Sequence, residues 1–183
     1  MAVQLGWAGI ICGGLMPNLT VYPDNQSFVE GAADFIADLA AQAIGERGRF
    51  MVALSGGNTP RPIYARLASA DYRERIAWSQ THIFFGDERC VPPDDARSNY
   101  RMARETLLDQ VALPPENIHR IQGEIDPAQA ALVYEQELQG LFRTRALPSF
   151  DLICLGMGEN GHTASLFPGV AALHERERDP GNA

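Results

Sequence analysis

Apolar and polar positions along this chain switch repeatedly between two periods. From Phe28 the apolar residues recur at Ala32, Phe35, Ile36, Leu39 and Ala43, the spacing that gives a helix one core-facing side. Asp24 or Asn25 supplies the N-cap, and Gly45 and Gly48 mark the end. Phe50–Leu54 is an unbroken apolar run, the mark of a strand covered on both faces. Pro60 then stands where a first helical turn favours proline, with Tyr64 and Leu67 continuing that helix. The alternation repeats. A strand is expected over His82–Phe85, a helix over Tyr100–Val111, and a short extended piece over Ile118–Gln122. Asp126 caps and Pro127 opens a helix reaching Phe142, with Ala130, Ala131, Tyr134, Leu138 and Leu141 on one face. A buried strand over Leu152–Leu155 follows, and Leu19–Tyr22 reads as a short first strand. Strands alternating with helices predict an α/β fold with a mostly parallel sheet flanked by helices.

Composition changes this picture little. The 183 residues are 45% hydrophobic and 21% charged, which is globular composition for one domain. The net charge of −8 argues against nucleic acid as the main partner, since phosphate backbones select basic faces. A small anionic ligand remains compatible, because a pocket can be locally positive. Cys12, Cys90 and Cys154 are widely spaced and odd in number, which fits a reducing cytoplasm; Cys154, in an apolar run, is expected to be buried. No apolar run reaches the roughly 18 residues of a membrane span, so a soluble protein is expected. Residues 1–15 are apolar without a signal-peptide pattern. They read as an N-terminal extension, with Met16 as initiator, a domain over residues 16–173, and a charged tail over 174–183.

Three polar, glycine-bearing loops fall at strand ends, after Leu54, Phe85 and Leu155. Ligands of parallel sheets bind beyond the carboxyl ends of the strands. The first loop, Ser55-Gly56-Gly57-Asn58-Thr59, leads into a helix and makes an anion site or simply a tight turn. The second carries Asp87, Glu88 and Arg89; Arg89 can grip phosphate or carboxylate with a fork of donors, and Asp87 can orient Arg89, a sugar hydroxyl or a histidine. The third, Gly156-Met157-Gly158-Glu159-Asn160-Gly161-His162, places a histidine past glycines and off any apolar face, where it suits general acid–base work. His82, His119 and His174 look structural. No histidine pair has metal-ligand spacing, so no metal is expected.

Together, LSGGNTP, FGDERCVPPDDARSNY and FDLICLGMGENGHTASLFPG resemble the three signature segments of the 6-phosphogluconolactonase family, over about residues 16 to 173. The resemblance implies a three-layer Rossmann-like fold shared with glucosamine-6-phosphate deaminases. It also implies hydrolysis of 6-phospho-D-glucono-1,5-lactone to 6-phospho-D-gluconate, in the oxidative pentose phosphate pathway. It makes His162 the general base and Asp87 and Arg89 catalytic partners. Substrate and phosphate contacts fall to Ser55, Gly56, Gly57, Asn58, Thr59, Arg89, Gly158, Asn160 and Gly161. The only partner it implies is the sugar phosphate lactone, and it implies no cofactor.

Two departures from the family pattern matter. Asn160 stands where many relatives carry Asp. The family continues past Phe167-Pro168-Gly169 with further strands, a helix and a lysine, whereas here HERERDPGNA follows, so the sheet is expected to lack its C-terminal strands. An inactive sugar-phosphate-binding fragment is therefore one alternative. A glucosamine-6-phosphate deaminase is another, but Arg89 replaces that family's Tyr and Phe167 its Glu.

Overall fold

The computed structural model describes residues 18–142 and 148–174. The Met16 start, Cys12 and the tail beyond His174 lie outside the described residues. Helix α1 (Asn25–Arg47) begins where Asp24 accepts a hydrogen bond from the Ser27 amide at 2.7 Å. It ends at Gly48, whose φ of +72° supplies the left-handed cap. Its buried stripe is Phe28, Val29, Ala32, Ala33, Ile36, Ala37, Ala40 and Ala43. Phe35 lies off that stripe and is exposed, contrary to the expectation from spacing. Small alanines along the stripe let α1 lie close to the sheet.

Strands β1 (Phe50–Leu54), β2 (Thr81–Phe85) and β3 (Leu152–Ile153) form a parallel sheet in the order β2-β1-β3. Along β1, Phe50, Val52 and Leu54 join the core beneath α1, α2 (Pro60–Leu67) and α3 (Asn99–Thr106). Met51 and Ala53, with Phe84 of β2, face the opposite side under α4 (Pro127–Phe142), which contributes Tyr134, Leu138, Leu141 and Phe142. Burial on both faces is why β1 reads as an unbroken apolar run. The three-layer α/β expectation is met.

Several local expectations are corrected. Leu19–Tyr22 is not a strand: Leu19 and Val21 are exposed, and Tyr22 packs edge-on against Phe28 at 5.7 Å. The helix expected over Tyr100–Val111 stops at Thr106, because Leu107 leaves helical geometry; a single 3₁₀ turn, Leu108–Gln110, follows. Of Ile118–Gln122, Ile118 alone bridges to Ile83. Ala131 of α4 is exposed. Strand β3 is only two residues long and Ile153 is half exposed, although Cys154 is buried as expected and its thiol is pushed up to about 12 by that burial. No helix among the described residues is long and apolar enough to cross a membrane.

A histidine pair, His119 buried and His82 half-buried, ties α4 to β2. His119 Nδ1 meets Glu137 Oε1 at 2.7 Å, and its Nε2 meets His82 Nδ1 at 3.1 Å. Phe84 stacks on the His119 ring. Burial, the His119 ring and the Arg49 charge hold His82 below its ordinary value. The unfolded chain therefore takes up a proton first as pH falls below about 6.5. Stability is fully present above that pH and is lost as pH drops toward the lowered folded value. Melting temperature should decline between pH 7 and pH 5, and His82→Gln should flatten that decline; an equally steep decline in the variant would clear His82.

Candidate active site

Strands β1 and β2 end flush. Leu54 and Phe85 pair in register, and the Gly86 amide donates to the Leu54 carbonyl at 2.9 Å. Beside them, the Cys154 amide donates to the Ala53 carbonyl at 2.8 Å. All three strands therefore release their loops at one edge of the sheet. Two tyrosine hydroxyls fix the exits. Tyr64 accepts from the Ser55 amide at 3.0 Å and donates to the Ser55 carbonyl at 2.9 Å. Tyr134 accepts from the Phe85 amide at 3.1 Å and donates to its carbonyl at 3.2 Å. From the sequence, Tyr64 simply continues its helix and Tyr134 joins an apolar face; their hydroxyls carry no local signal of this role.

In the first loop Gly57 has φ +100°, and nothing lies within 4 Å of where its Cβ would be. That face is open to a ligand. Helix α2 follows directly, with prolines at 60 and 62 removing two amide donors from its first turn. The other loop amides, the Ser55, Asn58 and Thr59 side chains and Arg61 can still donate to an anion, whereas Ser55's amide is already taken by Tyr64.

The second loop is held from below. Glu88 accepts from the amides of Arg89, Asn99 and Tyr100 at 2.7, 2.7 and 2.9 Å and from the Ser98 hydroxyl at 3.0 Å. It thus caps α3. Asp87 is held by both oxygens. Oδ1 accepts from Asn99 Nδ2 at 3.2 Å and Oδ2 from Ser165 Oγ at 2.8 Å. Asp87 makes no bond to His162 among the described residues. Arg89 is exposed. With Asp87 and Ser165 it lines a cavity of about 540 Å³, whose other wall is α4.

The third loop builds a seat for His162. The His162 backbone amide donates to Asn160 Oδ1 at 3.2 Å, and ring Nδ1 meets the same atom at 2.5 Å. An atom that receives a backbone N–H is an acceptor, so Nδ1 carries the ring proton and Nε2 is left with a free lone pair. The ring stacks on Phe167 at 4.4 Å. A Cβ at Gly158 would lie 2.1 Å from Cε1, so Gly158 and Asn160 serve the histidine directly. Gly161 closes the turn between them, donating to the Gly158 carbonyl at 2.9 Å. Beyond it, Ala164 adopts φ +47°, a conformation non-glycine residues seldom hold. That turn aims Ser165 at Asp87. The Thr163 hydroxyl is buried with no protein partner among the described residues.

The profile of the glucosamine-6-phosphate isomerase/6-phosphogluconolactonase family matches residues 23–181. A 6-phosphogluconolactonase from Synechocystis is 45% identical over 167 residues, covering 90% of this chain and 68% of the relative. The chain belongs to this family. One from Nostoc is 43% identical over 86% of this chain and 65% of its own length. The crystal structure of 6-phosphogluconolactonase from Trypanosoma brucei superposes with a TM-score of 0.75 at 30% identity, over 87% of this chain and 66% of that one. The chain thus spans about two thirds of the length of these relatives. Membership in the family accounts for the Rossmann-like layering.

Proposed function

We propose that this protein hydrolyses 6-phospho-D-glucono-1,5-lactone to 6-phospho-D-gluconate, with His162 as general base. One observation carries the reading. Asn160 fixes His162 with its Nε2 lone pair free, on the same sheet edge as Arg89 and the open first loop. In this scheme Nε2 takes a proton from water, and the water oxygen bonds to the lactone carbonyl carbon. The bond from that carbon to the ring oxygen then breaks, and the imidazolium returns its proton to the departing oxygen. Loop amides around the developing oxyanion lower the barrier. Arg89 and the Gly56–Thr59 backbone hold the phosphate, which fixes the distance from His162 to the carbonyl. Asn160 supports the imidazolium by a dipole rather than a charge, so it orients the base more than it strengthens it. Phe167 against the ring cannot titrate, which disfavours deaminase–isomerase chemistry at this position.

The test is release of 6-phosphogluconate from fresh lactone by the purified protein, with spontaneous hydrolysis subtracted. No acceleration above that background would refute the reading. Arg89 gives a finer check. Arg89→Lys keeps the charge and loses the fork. KM for the lactone should rise about tenfold or more, because a hydrogen bond to a charged group is worth about 1.5–3 kcal/mol. A wild-type KM would place the phosphate elsewhere.

A further inference from the structure

Asn99 is the first residue of α3 and is only 5% exposed. Its backbone amide donates to Glu88, and Ser98 caps the helix by accepting from the Arg101 amide at 3.1 Å. The Asn99 side chain is therefore not needed to start α3. Its Nδ2 instead donates to both the backbone carbonyl and the carboxylate Oδ1 of Asp87, each at 3.2 Å. The same amide group fills the space above Gly56, where a Cβ would stand 1.8 Å from Asn99 Oδ1 and 2.7 Å from its Nδ2. One buried amide thus abuts the first loop and grips the second. Through Asp87, whose Oδ2 accepts from Ser165, it also reaches the third.

We propose that Asn99 is the positioning residue for Asp87, and that it sets the register of the first loop against the second. A carboxylate at a strand end is free to turn about two torsions. Donors from α3 and from the third loop, one on each oxygen, leave a single orientation. A charge-assisted bond to a buried donor is stronger than a solvent-exposed one. Gly56 is part of the same device, because any larger residue there would expel the amide. The kinetic consequence rests on the lactonase reading and on the catalytic part the family resemblance gives Asp87; the contact between Asn99 and Gly56 does not.

Two arms test this. Asn99→Asp keeps the volume above Gly56 but turns the donor into an acceptor facing Asp87. It should lower kcat about 10²-fold, the scale of a misplaced catalytic group, and move KM by less than about threefold, with a cooperative melt retained. In an Asp87→Ala background the same change should cost less than about twofold further, because its route to the reaction is gone. The second arm needs no activity. Gly56→Ala should lower the melting temperature by colliding with Asn99, and Gly56→Ala with Asn99→Ala should melt no lower than Asn99→Ala alone. Wild-type turnover per folded Asn99→Asp molecule, or a full additional loss in the Asp87→Ala background, would overturn the positioning role. Additive losses in the Gly56 pair would overturn the register role. If the wild-type chain itself fails to hydrolyse the lactone, the lactonase reading and the kinetic role fall together, while the melting arm still judges the contact.

Discussion

His162→Ala should remove most lactone hydrolysis, by about 10²–10⁴-fold in kcat, the range a positioned general base contributes. Product binding should stay nearly intact, because the phosphate contacts assigned to Arg89 and the first loop do not involve the imidazole. The substitution should also be mild for the fold. The ring lies in a partly exposed loop, and its contacts are local: Asn160 by hydrogen bond, Phe167 by stacking and Gly158 by close approach. Turnover must therefore be normalised to the folded fraction and corrected for spontaneous opening of the lactone. The pH profile offers a second readout. A base works only when deprotonated, so wild-type activity should fall on the acid side and that limb should vanish in the variant. Unchanged normalised turnover would remove His162 from the reaction and leave it as a loop-packing residue.

How much of this was legible in the sequence depends on the range of the interaction. Strands β1 and β2 announce themselves as apolar runs because both faces are covered, and α1 and α4 through caps and periodicity. The three loops follow from glycines just past those runs. Interactions between segments left no such trace. Asn99 sits at a helix start, where asparagine is common for local reasons, and nothing nearby points to Asp87 or Gly56. Ser165 reads as a loop serine until the Ala164 turn delivers it to Asp87. Tyr64 and Tyr134 fit the apolar face of their helices, which hides the hydroxyl contacts they make with strand ends. Glu88 looked like one charge among three in a polar turn, yet it gathers four donors at the start of α3.

The misreadings have the same origin. Leu152–Leu155 has the composition of a central strand. In this structure it is an outer strand, with Val52 and Ala53 as its only ladder partners among the described residues, and Ile153 is left half exposed. Leu19–Tyr22 alternates like a strand, but Tyr22 is drawn onto α1 by Phe28 and by the gap over Gly31. Asn160 looked like a weakened acidic support or a substrate contact. In place it is the acceptor that decides which imidazole nitrogen is free.

Gly158→Ala should impair catalysis nearly as strongly as a direct change to the base, although it adds only one methyl group. Its Cβ would stand 2.1 Å from Cε1, 2.3 Å from Nδ1 and 2.8 Å from Nε2 of His162. No such contact can persist, so either the backbone or the ring must move. The ring moves more easily. The Gly158 amide donates to the His162 carbonyl at 2.8 Å and its carbonyl accepts from Gly161 at 2.9 Å, so the backbone is pinned at both ends, while the imidazole is partly exposed and free to swing outward. That swing breaks the bond to Asn160 and the stack on Phe167, which together set the tautomer and aim of Nε2. A displacement of about 1 Å in a catalytic group is enough for about a 10²-fold loss of rate. The expected result is therefore a fall in kcat of about that size with little change in melting temperature or in affinity for 6-phosphogluconate. Nitrogen chemical shifts of the His162 ring should change as well, since Nδ1 loses its fixed acceptor. Normal turnover in a folded Gly158→Ala protein would mean that the seat around His162 has no part in aiming the base.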